Sequence, residues 1–237
     1  MFNQYAEGKE CFKLYGVNEQ SLQKAAEAVE KMSSGGVKLS FTLCKSDAFV
    51  EIVNQNSTAV VFDSVIKSFI NAFSSFIYAN ENISLQENAV ALLKISGKKL
   101  CTAESFTGGA VANAIVSVAG ASEVFYEGFV CYNTGAKIQR LGVSEQTVRA
   151  HTVVSREVAF EMVKGLLQNG NCDVAVATTG YASPTGDAQK PAGLCFIAVA
   201  NEQKAEVFRY NFSGTREQII EQGKNSALFA LNRILRG

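Results

Sequence analysis

From residue 85 to its C-terminus, the chain alternates between helix-like and strand-like runs. The helix-like run "LQENAVALLKI" leads to a short strand, "KLCTAE", then to a helix after two glycines and the strand "VFYEGFVCYN". Further helices are predicted at 144–150, 155–168 and from 215 onward, and further strands at 173–179, 193–200 and 205–211. Such alternation is typical of helices layered on a sheet, with functional loops at the strand ends. The pattern therefore predicts an α/β domain.

Residues 11–79 have a different order, namely strand, helix, two strands, helix and a last strand. In "NEQSLQKAAEAVEKM", apolar residues recur at helical spacing, and Asn18 is placed to cap the helix. The strands "VKLSFTL" and "AFVEIVNQ" flank the turn "CKSD". The mostly polar segment "NENIS", residues 80–84, marks a boundary. We therefore predict a small α+β domain over residues 1–83 and the α/β domain over residues 84–237.

Composition and charge exclude several classes of protein. The 237 residues include 22 Lys and Arg against 22 Asp and Glu, so there is no net positive field to attract nucleic acid. No apolar run approaches the roughly 18 residues of a membrane span, and the N-terminus lacks the pattern of a secretory signal. We expect a cytoplasmic protein with an ordinary buried core.

Cysteine and histidine usage narrows the chemistry. Six cysteines are dispersed without a CxxC pair, which favours free, buried thiols over disulfides or a metal site. His151 is the single histidine of the chain. A histidine-ligated zinc centre or a Ser-His-Asp triad is therefore hard to build.

The stretch "AESFTGG", residues 103–109, lies between a predicted strand and a predicted helix. Backbone N–H groups at a helix N-terminus, together with the helix dipole, favour negative charge, so an oxyanion or a phosphate suits this place. Ser105 is therefore a candidate nucleophile or part of an anion site. Alternatively, Ser105 or Thr107 only caps the helix.

A serine nucleophile needs a base, and with one histidine in the chain we consider lysine and tyrosine. "GFVCYNTGAK" offers Tyr132 at the end of a strand and Lys137 beyond it. Lys137 can act as a base if its surroundings lower its pKa, but read without context it is a solvated helix residue. Similarly, Arg216 after the cap residue Thr215 either faces an anion or is simply exposed. The Gly- and Pro-rich loop 178–193 has the character of a ligand loop.

Five ordered stretches together carry a family resemblance: "AESFTGG", "YNTGAK", "AHTVVS", "TGYASPTG" and "KPAG". The chain resembles the C-terminal domain of the CinA competence/damage-inducible family, known as nicotinamide mononucleotide deamidase. Residues 11–79 look like the small connecting domain that precedes it in full-length CinA proteins. The fold class is then a three-layer α/β/α domain with a mixed sheet, preceded by the small α+β domain. The large N-terminal domain of those proteins has no room here, so we expect no pyrophosphatase activity.

The resemblance implies hydrolysis of the carboxamide of nicotinamide mononucleotide, which gives nicotinate mononucleotide and ammonia. By family analogy Ser105 is the nucleophile, Lys137 its base and Tyr132 a hydrogen-bonding partner that orients the pair, and no metal or cofactor is required. Helix N–H groups near residues 107–109 would hold the oxyanion or phosphate. Family members are commonly dimeric or larger, so we expect a homo-oligomer. The substrate-binding positions are predicted to be Glu104, Thr107, Gly108, Gly109, Asn133, Thr179, Gly180, Ser183 and Arg216.

The chain departs from the family pattern at several loop positions. Phe106 replaces a small cysteine beside the proposed nucleophile, and Thr152 replaces the glycine of "AHG". Thr134 and Gly135 replace the usual asparagine and acidic residue, and Ser183 a common glycine. These differences leave open an alternative, a CinA-like module that binds a nucleotide or a partner with impaired catalysis. Hydrolysis of a different small amide is a third interpretation.

Overall fold

A computed structural model describes residues 8–169, 171–184, 187–188 and 190–236. The chain divides into two compact units, Met1–Ser84 and Leu85–Gly237. Among the described residues, no helix is both long and apolar enough to cross a membrane. All six cysteines are free thiols, but the predicted burial holds for three of them, Cys101, Cys131 and Cys195, whereas Cys44 is exposed.

The first unit is a four-stranded antiparallel sheet with two helices. Its order is β1 (Lys9–Tyr15), α1 (Glu19–Ser33), β2 (Val37–Cys44), β3 (Asp47–Asn54), α2 (Ala59–Phe73) and β4 (Ile77–Ala79). The strands lie in the order β2-β3-β1-β4. Asn18 caps α1 by accepting a hydrogen bond from the Ser21 N–H at 2.8 Å, as predicted. Apolar faces of both helices and the sheet form one core, which includes Leu14, Leu22, Ile52 and Phe69.

The second unit contains a five-stranded mixed sheet. Its elements are α3 (Leu85–Ser96), β5 (Leu100–Glu104), α4 (Ala110–Val116), β6 (Phe125–Val130), α5 (Thr134–Leu141), α6 (Glu145–His151), α7 (Arg156–Asn169), β7 (Val174–Gly180), β8 (Leu194–Asn201), β9 (Ala205–Asn211) and α8 (Arg216–Arg236). The strand order is β6-β5-β7-β8-β9. The first three strands are parallel, and β8 and β9 continue the sheet antiparallel. The predicted mixed sheet is confirmed.

Helices cover both faces of this sheet. Helices α5, α6 and α7 pack on one face, and α3, α4 and α8 on the other. Small residues on the sheet, among them Ala103, Ala175 and Ala177, let α7 approach closely and bury Met162 and Leu166 against the strands. The three-layer α/β/α arrangement is therefore as predicted.

The structure differs from the sequence prediction between β6 and α6. The strand ends at Val130, whereas the sequence predicted it as far as residue 133, and residues 134–141 form the helix α5, which was absent from our predicted element order. The Cys131 N–H donates to the Glu104 carbonyl oxygen at 2.8 Å, so the ends of β5 and β6 are tied together. Residues that follow these two parallel strands therefore meet at one edge of the sheet.

Candidate active site

Ser105 lies directly after the last residue of β5, at the carboxyl edge of the parallel strands. Its N–H donates to the Thr178 carbonyl oxygen of β7 at 3.0 Å, and its own carbonyl accepts from the Gly108 N–H at 3.1 Å. The residue is 7% exposed. These two backbone hydrogen bonds hold Ser105 in a tight turn. Its side-chain hydroxyl takes part in neither of them.

Lys137 is the partner of that hydroxyl. Its Nζ atom donates to Ser105 Oγ at 3.0 Å and to the carbonyl oxygens of Cys131 and Tyr132 at 2.7 and 3.4 Å. The side chain is 1% exposed, so its interpretation as a solvated helix residue is wrong. Helix α5, capped by Asn133 through a 2.8 Å hydrogen bond from the Gly135 N–H, carries it inward.

The electrostatics of Lys137 suit a base. Burial lowers its pKa from 10.5 to about 8, and the neighbouring Cys131 opposes this with a smaller effect. When the amine is neutral, its two N–H groups can still donate to the carbonyls of Cys131 and Tyr132. Its lone pair is then free to accept the Ser105 hydroxyl proton. With this geometry a neutral Lys137 can serve as a general base that takes the Ser105 proton as Oγ attacks a substrate.

Glu104 has a structural role that the sequence did not predict. Its buried carboxylate accepts hydrogen bonds from the N–H groups of Gly109 at 3.0 Å, Val111 at 3.1 Å and Ala112 at 2.7 Å. These N–H groups at the start of α4 have no partner within the helix. A negatively charged carboxylate therefore already occupies this helix N-terminus. The Glu104 carboxylate and the Gly109 N–H are therefore paired with each other, and their predicted contacts with a substrate stay predictions.

Two backbone donors of the turn remain available. The Gly108 N–H is taken by the Ser105 carbonyl, and the Ala110 N–H by that of Thr107. Within the described part of the chain, the N–H groups of Phe106 and Thr107 have no hydrogen-bond partner. They flank the nucleophile on its C-terminal side, where hydrolases commonly place an oxyanion donor.

Tyr132, Ser183 and Arg216 form an outer cluster. Arg216 donates to Ser183 Oγ at 3.1 Å and to the Tyr132 hydroxyl at 3.2 Å. The Tyr132 side chain is 63% exposed, and its hydroxyl bonds Arg216 and neither Ser105 nor Lys137. Its carbonyl, however, contacts Lys137. One tyrosine therefore connects the buried pair with the exposed cation.

The remaining predicted positions divide between the turn and the end of β7. Thr107 is buried with its hydroxyl 2.6 Å from Thr178 Oγ1, and Thr179 donates to the Val153 carbonyl at 2.9 Å. Gly108 and Gly109 shape the turn, with φ values of 61° and 97°. These hydroxyls and glycines hold the turn in place, and their predicted contacts with a substrate stay predictions. The Thr178 hydroxyl was missed, although it directly precedes two predicted positions.

The described residues place neither a set of metal ligands nor His151 at the Ser105–Lys137 pair. They contain no group of three or more His, Cys, Asp or Glu side chains that could hold a metal ion. The His151 ring contacts Glu157 at 3.8 Å instead of the Ser105–Lys137 pair. In the motif "TGYASPTG", residues 185 and 186 lie outside the described residues.

Comparison with known proteins identifies the family. The family model described as the CinA C-terminal domain matches residues 82–235. The chain belongs to the CinA family. A candidate competence-damage inducible protein of Caldicellulosiruptor saccharolyticus is 36% identical over 236 residues, covering 94% of this chain and 55% of the relative. A CinA-like protein of Endomicrobium trichonymphae is 34% identical over 231 residues, covering 94% of this chain and 54% of the relative. The chain thus spans about half the length of the curated relatives it matches.

Solved CinA structures match this fold. The competence/damage inducible protein CihA of Agrobacterium tumefaciens is 33% identical with a TM-score of 0.62, and the match covers 65% of this chain and 94% of that one. A CinA superfamily protein of Klebsiella pneumoniae is also 33% identical with a TM-score of 0.62, covering 64% of this chain and 96% of that one.

Phe106, the departure from the CinA pattern beside Ser105, points into the core. Its ring is 3% exposed and packs with Ala182, Cys195 and Ile219. A methyl group added at Gly223 of α8 would overlap the ring, and one at Gly180 would lie 3.0 Å from it. The ring therefore fills space that two glycines leave open and does not obstruct the contact between Ser105 and Lys137.

Thr152, where the CinA pattern has glycine, has an unusual backbone. Its φ is 67° and its ψ 163°, a region that side chains with a Cβ rarely adopt. Its N–H donates to the Val148 carbonyl at 3.0 Å and closes α6. The residue keeps a conformation for which glycine is suited.

Proposed function

We propose that this chain is an amidohydrolase that converts nicotinamide mononucleotide to nicotinate mononucleotide and ammonia. The observation that carries the proposal is the 3.0 Å contact between Ser105 Oγ and the buried Lys137 Nζ. Membership of the CinA family, and the resemblance of this domain to nicotinamide mononucleotide deamidase, support the choice of substrate.

The proposed reaction begins with nucleophilic attack on the carboxamide. Neutral Lys137 takes the Ser105 hydroxyl proton as Oγ bonds to the carboxamide carbon, and the resulting oxyanion accepts from the N–H groups of Phe106 and Thr107. Lys137 then returns the proton to the departing nitrogen, which leaves as ammonia. The product of this half-reaction is a nicotinoyl ester of Ser105.

The second half-reaction regenerates the serine. Lys137 takes a proton from a water molecule as its oxygen bonds to the ester carbon, and the bond between that carbon and Ser105 Oγ breaks. Ser105 recovers the proton from Lys137, and the product leaves as a carboxylic acid, which loses its remaining proton to the solvent to give the carboxylate. One water is consumed for each ammonia released, so the same two side chains serve both steps.

Arg216 supports an anionic substrate. Within the described residues its hydrogen-bond partners are the neutral hydroxyls of Tyr132 and Ser183, and no carboxylate lies within salt-bridge distance. A guanidinium with its charge uncompensated suits a phosphate monoester, because both can pair through parallel hydrogen bonds. The 5′-phosphate of a mononucleotide is such a group.

The test is incubation of the purified chain with nicotinamide mononucleotide, with ammonia and nicotinate mononucleotide measured over time. We expect turnover by the native chain and a loss of several orders of magnitude in Ser105→Ala. Lys137→Ala should lose activity comparably, because the two side chains act as a unit.

Two results would contradict the proposal. One is equal turnover by the native chain and Ser105→Ala, and the other is no turnover by the native chain. In the second case, calorimetry with the mononucleotide distinguishes a binding module from a hydrolase of another small amide, since only the former binds the mononucleotide without releasing ammonia.

A further inference from the structure

The turn that carries Ser105 is held from a neighbouring strand by one residue, Thr178. Its backbone carbonyl accepts from the Ser105 N–H at 3.0 Å. Its hydroxyl oxygen lies 2.6 Å from Thr107 Oγ1 and 3.4 Å from the Ser105 nitrogen. Thr178 thus binds the residues on both sides of Phe106, whose N–H is one of the two unpartnered donors described above.

Thr178 is suited to this role by its place in the sheet. It lies on β7, the central strand of five, which is hydrogen-bonded to β5 on one side and to β8 on the other. Such a strand is among the least mobile parts of a fold. Thr178 is 0% exposed and Thr107 3%, so water cannot replace either hydroxyl as a partner for the other.

We propose that Thr178 is a positioning residue for the nucleophile. Its hydroxyl, acting through Thr107, fixes the Ser105–Thr107 turn so that Ser105 Oγ meets Lys137 and the N–H groups of Phe106 and Thr107 stay free for an oxyanion. This inference rests on the proposed function for its kinetic readout. Thr178 does not contact the substrate, because it is fully buried beneath the turn.

The kinetic test uses Thr178→Val, which keeps the shape of the side chain and removes its hydroxyl. We expect kcat to fall about tenfold to a hundredfold, because small displacements of a nucleophile are costly, while KM stays near the native value. Thr178→Ser keeps the hydroxyl and should restore kcat. Thr107→Val removes the same hydrogen bond from the other side, and the double variant should be no slower than the worse single variant.

Thr102 offers a matched control. It is also 0% exposed and lies on the adjacent strand β5, but in the described part of the chain its hydroxyl has no hydrogen-bond partner. Thr102→Val therefore removes a buried threonine hydroxyl without removing a bond to the turn. We expect its kcat and KM to match those of the native chain.

A second readout does not depend on the substrate. A fluorophosphonate probe phosphonylates a reactive serine hydroxyl with loss of fluoride, and mass spectrometry measures the rate at Ser105. We expect Thr178→Val to be labelled about tenfold more slowly than the native chain, and Thr178→Ser and Thr102→Val at the native rate. Labelling of Thr178→Val at the native rate, or an equal loss in Thr102→Val, overturns the inference. A native chain that is labelled but releases no ammonia overturns the proposed function alone, and the labelling rates still decide the role of Thr178.

Discussion

At the scale of single residues, the protonation state of Lys137 controls the proposed chemistry. Burial lowers its pKa from 10.5 to about 8, and the amine accepts the Ser105 proton only when it is neutral. The neutral fraction grows as pH rises through this pKa, so kcat/KM should increase by about tenfold per pH unit below it and level off above it. Measurement of kcat/KM from about pH 6 to about pH 10 checks this prediction.

The control for this pH dependence is Lys137→Arg. An arginine remains protonated throughout this range, so the variant should be inactive at every pH and show no rising limb. A native profile that is flat across the same range would show that no group with the pKa of Lys137 acts as the base.

Thr152 provides a residue-scale prediction about stability. At φ 67° and ψ 163° its Cβ is strained, and Thr152→Gly should relieve about 1–3 kcal/mol of this strain. The added freedom of glycine in the unfolded chain offsets part of the gain. We expect a net stabilisation of about 1 kcal/mol, or a rise of about 2–4 °C in the melting temperature.

Calorimetric melting of Thr152→Gly and Thr152→Ala separates strain from the hydroxyl. Alanine keeps the Cβ and loses only the 3.3 Å hydrogen bond from the threonine hydroxyl to the Val154 carbonyl, so it should not raise the melting temperature. Equal melting temperatures for both variants would argue against a strained backbone.

The sequence located the central residues but not their surroundings. Ser105 and Lys137 were found through their motifs, whereas the 1% exposure of Lys137 depends on how α5 packs against α7. The direction of Phe106 depends on the absence of side chains at Gly180 and Gly223, which are far away in sequence. Local sequence patterns carry no information about packing between residues that are distant in the chain. The burial of Lys137 and the position of the Phe106 ring in the core therefore became clear only from the structure.

At the scale of elements, helix α8 packs on the turn that carries Ser105 through Gly223. Alanine in a helix interior is normally more stable than glycine by about 1 kcal/mol. At Gly223, however, the new methyl group would overlap the Phe106 ring. Gly223→Ala should therefore destabilise the second unit by about 1–3 kcal/mol. Denaturant unfolding of the variant measures this change.

A double-mutant cycle assigns the effect to this contact. Phe106→Cys, which installs the residue usual in the CinA pattern, removes the ring. In that background Gly223→Ala should be neutral or stabilising, with a coupling free energy of about 1–3 kcal/mol. If Gly223→Ala costs the same in both backgrounds, the ring is not the cause.

Elements with clear apolar periods were predictable, whereas the short helix α5 was not. The 15-residue α1 and the strands of the first unit show clear apolar periods. Helix α5 has eight residues between Asn133 and Gly142 and includes Gly135, which weakens its helix propensity. Its existence depends on its cap and on packing against α7, so the sequence suggested a loop between β6 and α6.

At the scale of the whole molecule, alternation of strands and helices predicted the layers of the second unit. The strand order β6-β5-β7-β8-β9 was not predictable from this pattern, because it is set by pairings between distant segments. The carboxyl ends of β5 and β6 nevertheless meet at one edge, which is the general location for sites in such sheets. The layered architecture thus explains why two motifs 32 residues apart, at Ser105 and Lys137, form one contact.

The chain divides into two compact units, which leads to a prediction about the chain from residue 85 onward. One core cluster of the first unit draws on residues 12–77, and two clusters of the second draw on residues 101–219. The match with the CihA structure covers 65% of this chain and 94% of that one. A CinA protein that lacks a counterpart to the unmatched part of this chain therefore folds. We expect residues 85–237 alone to unfold cooperatively and to retain kcat/KM within about twofold.

Denaturant unfolding and ammonia release test the two parts of this prediction separately. The same fragment carrying Ser105→Ala should unfold like the fragment and release no ammonia, which excludes a contaminating amidase. A fragment that folds but loses most of its activity would show that residues 1–84 contribute to turnover. A fragment that does not fold would show that residues 85–237 need the first unit in order to fold.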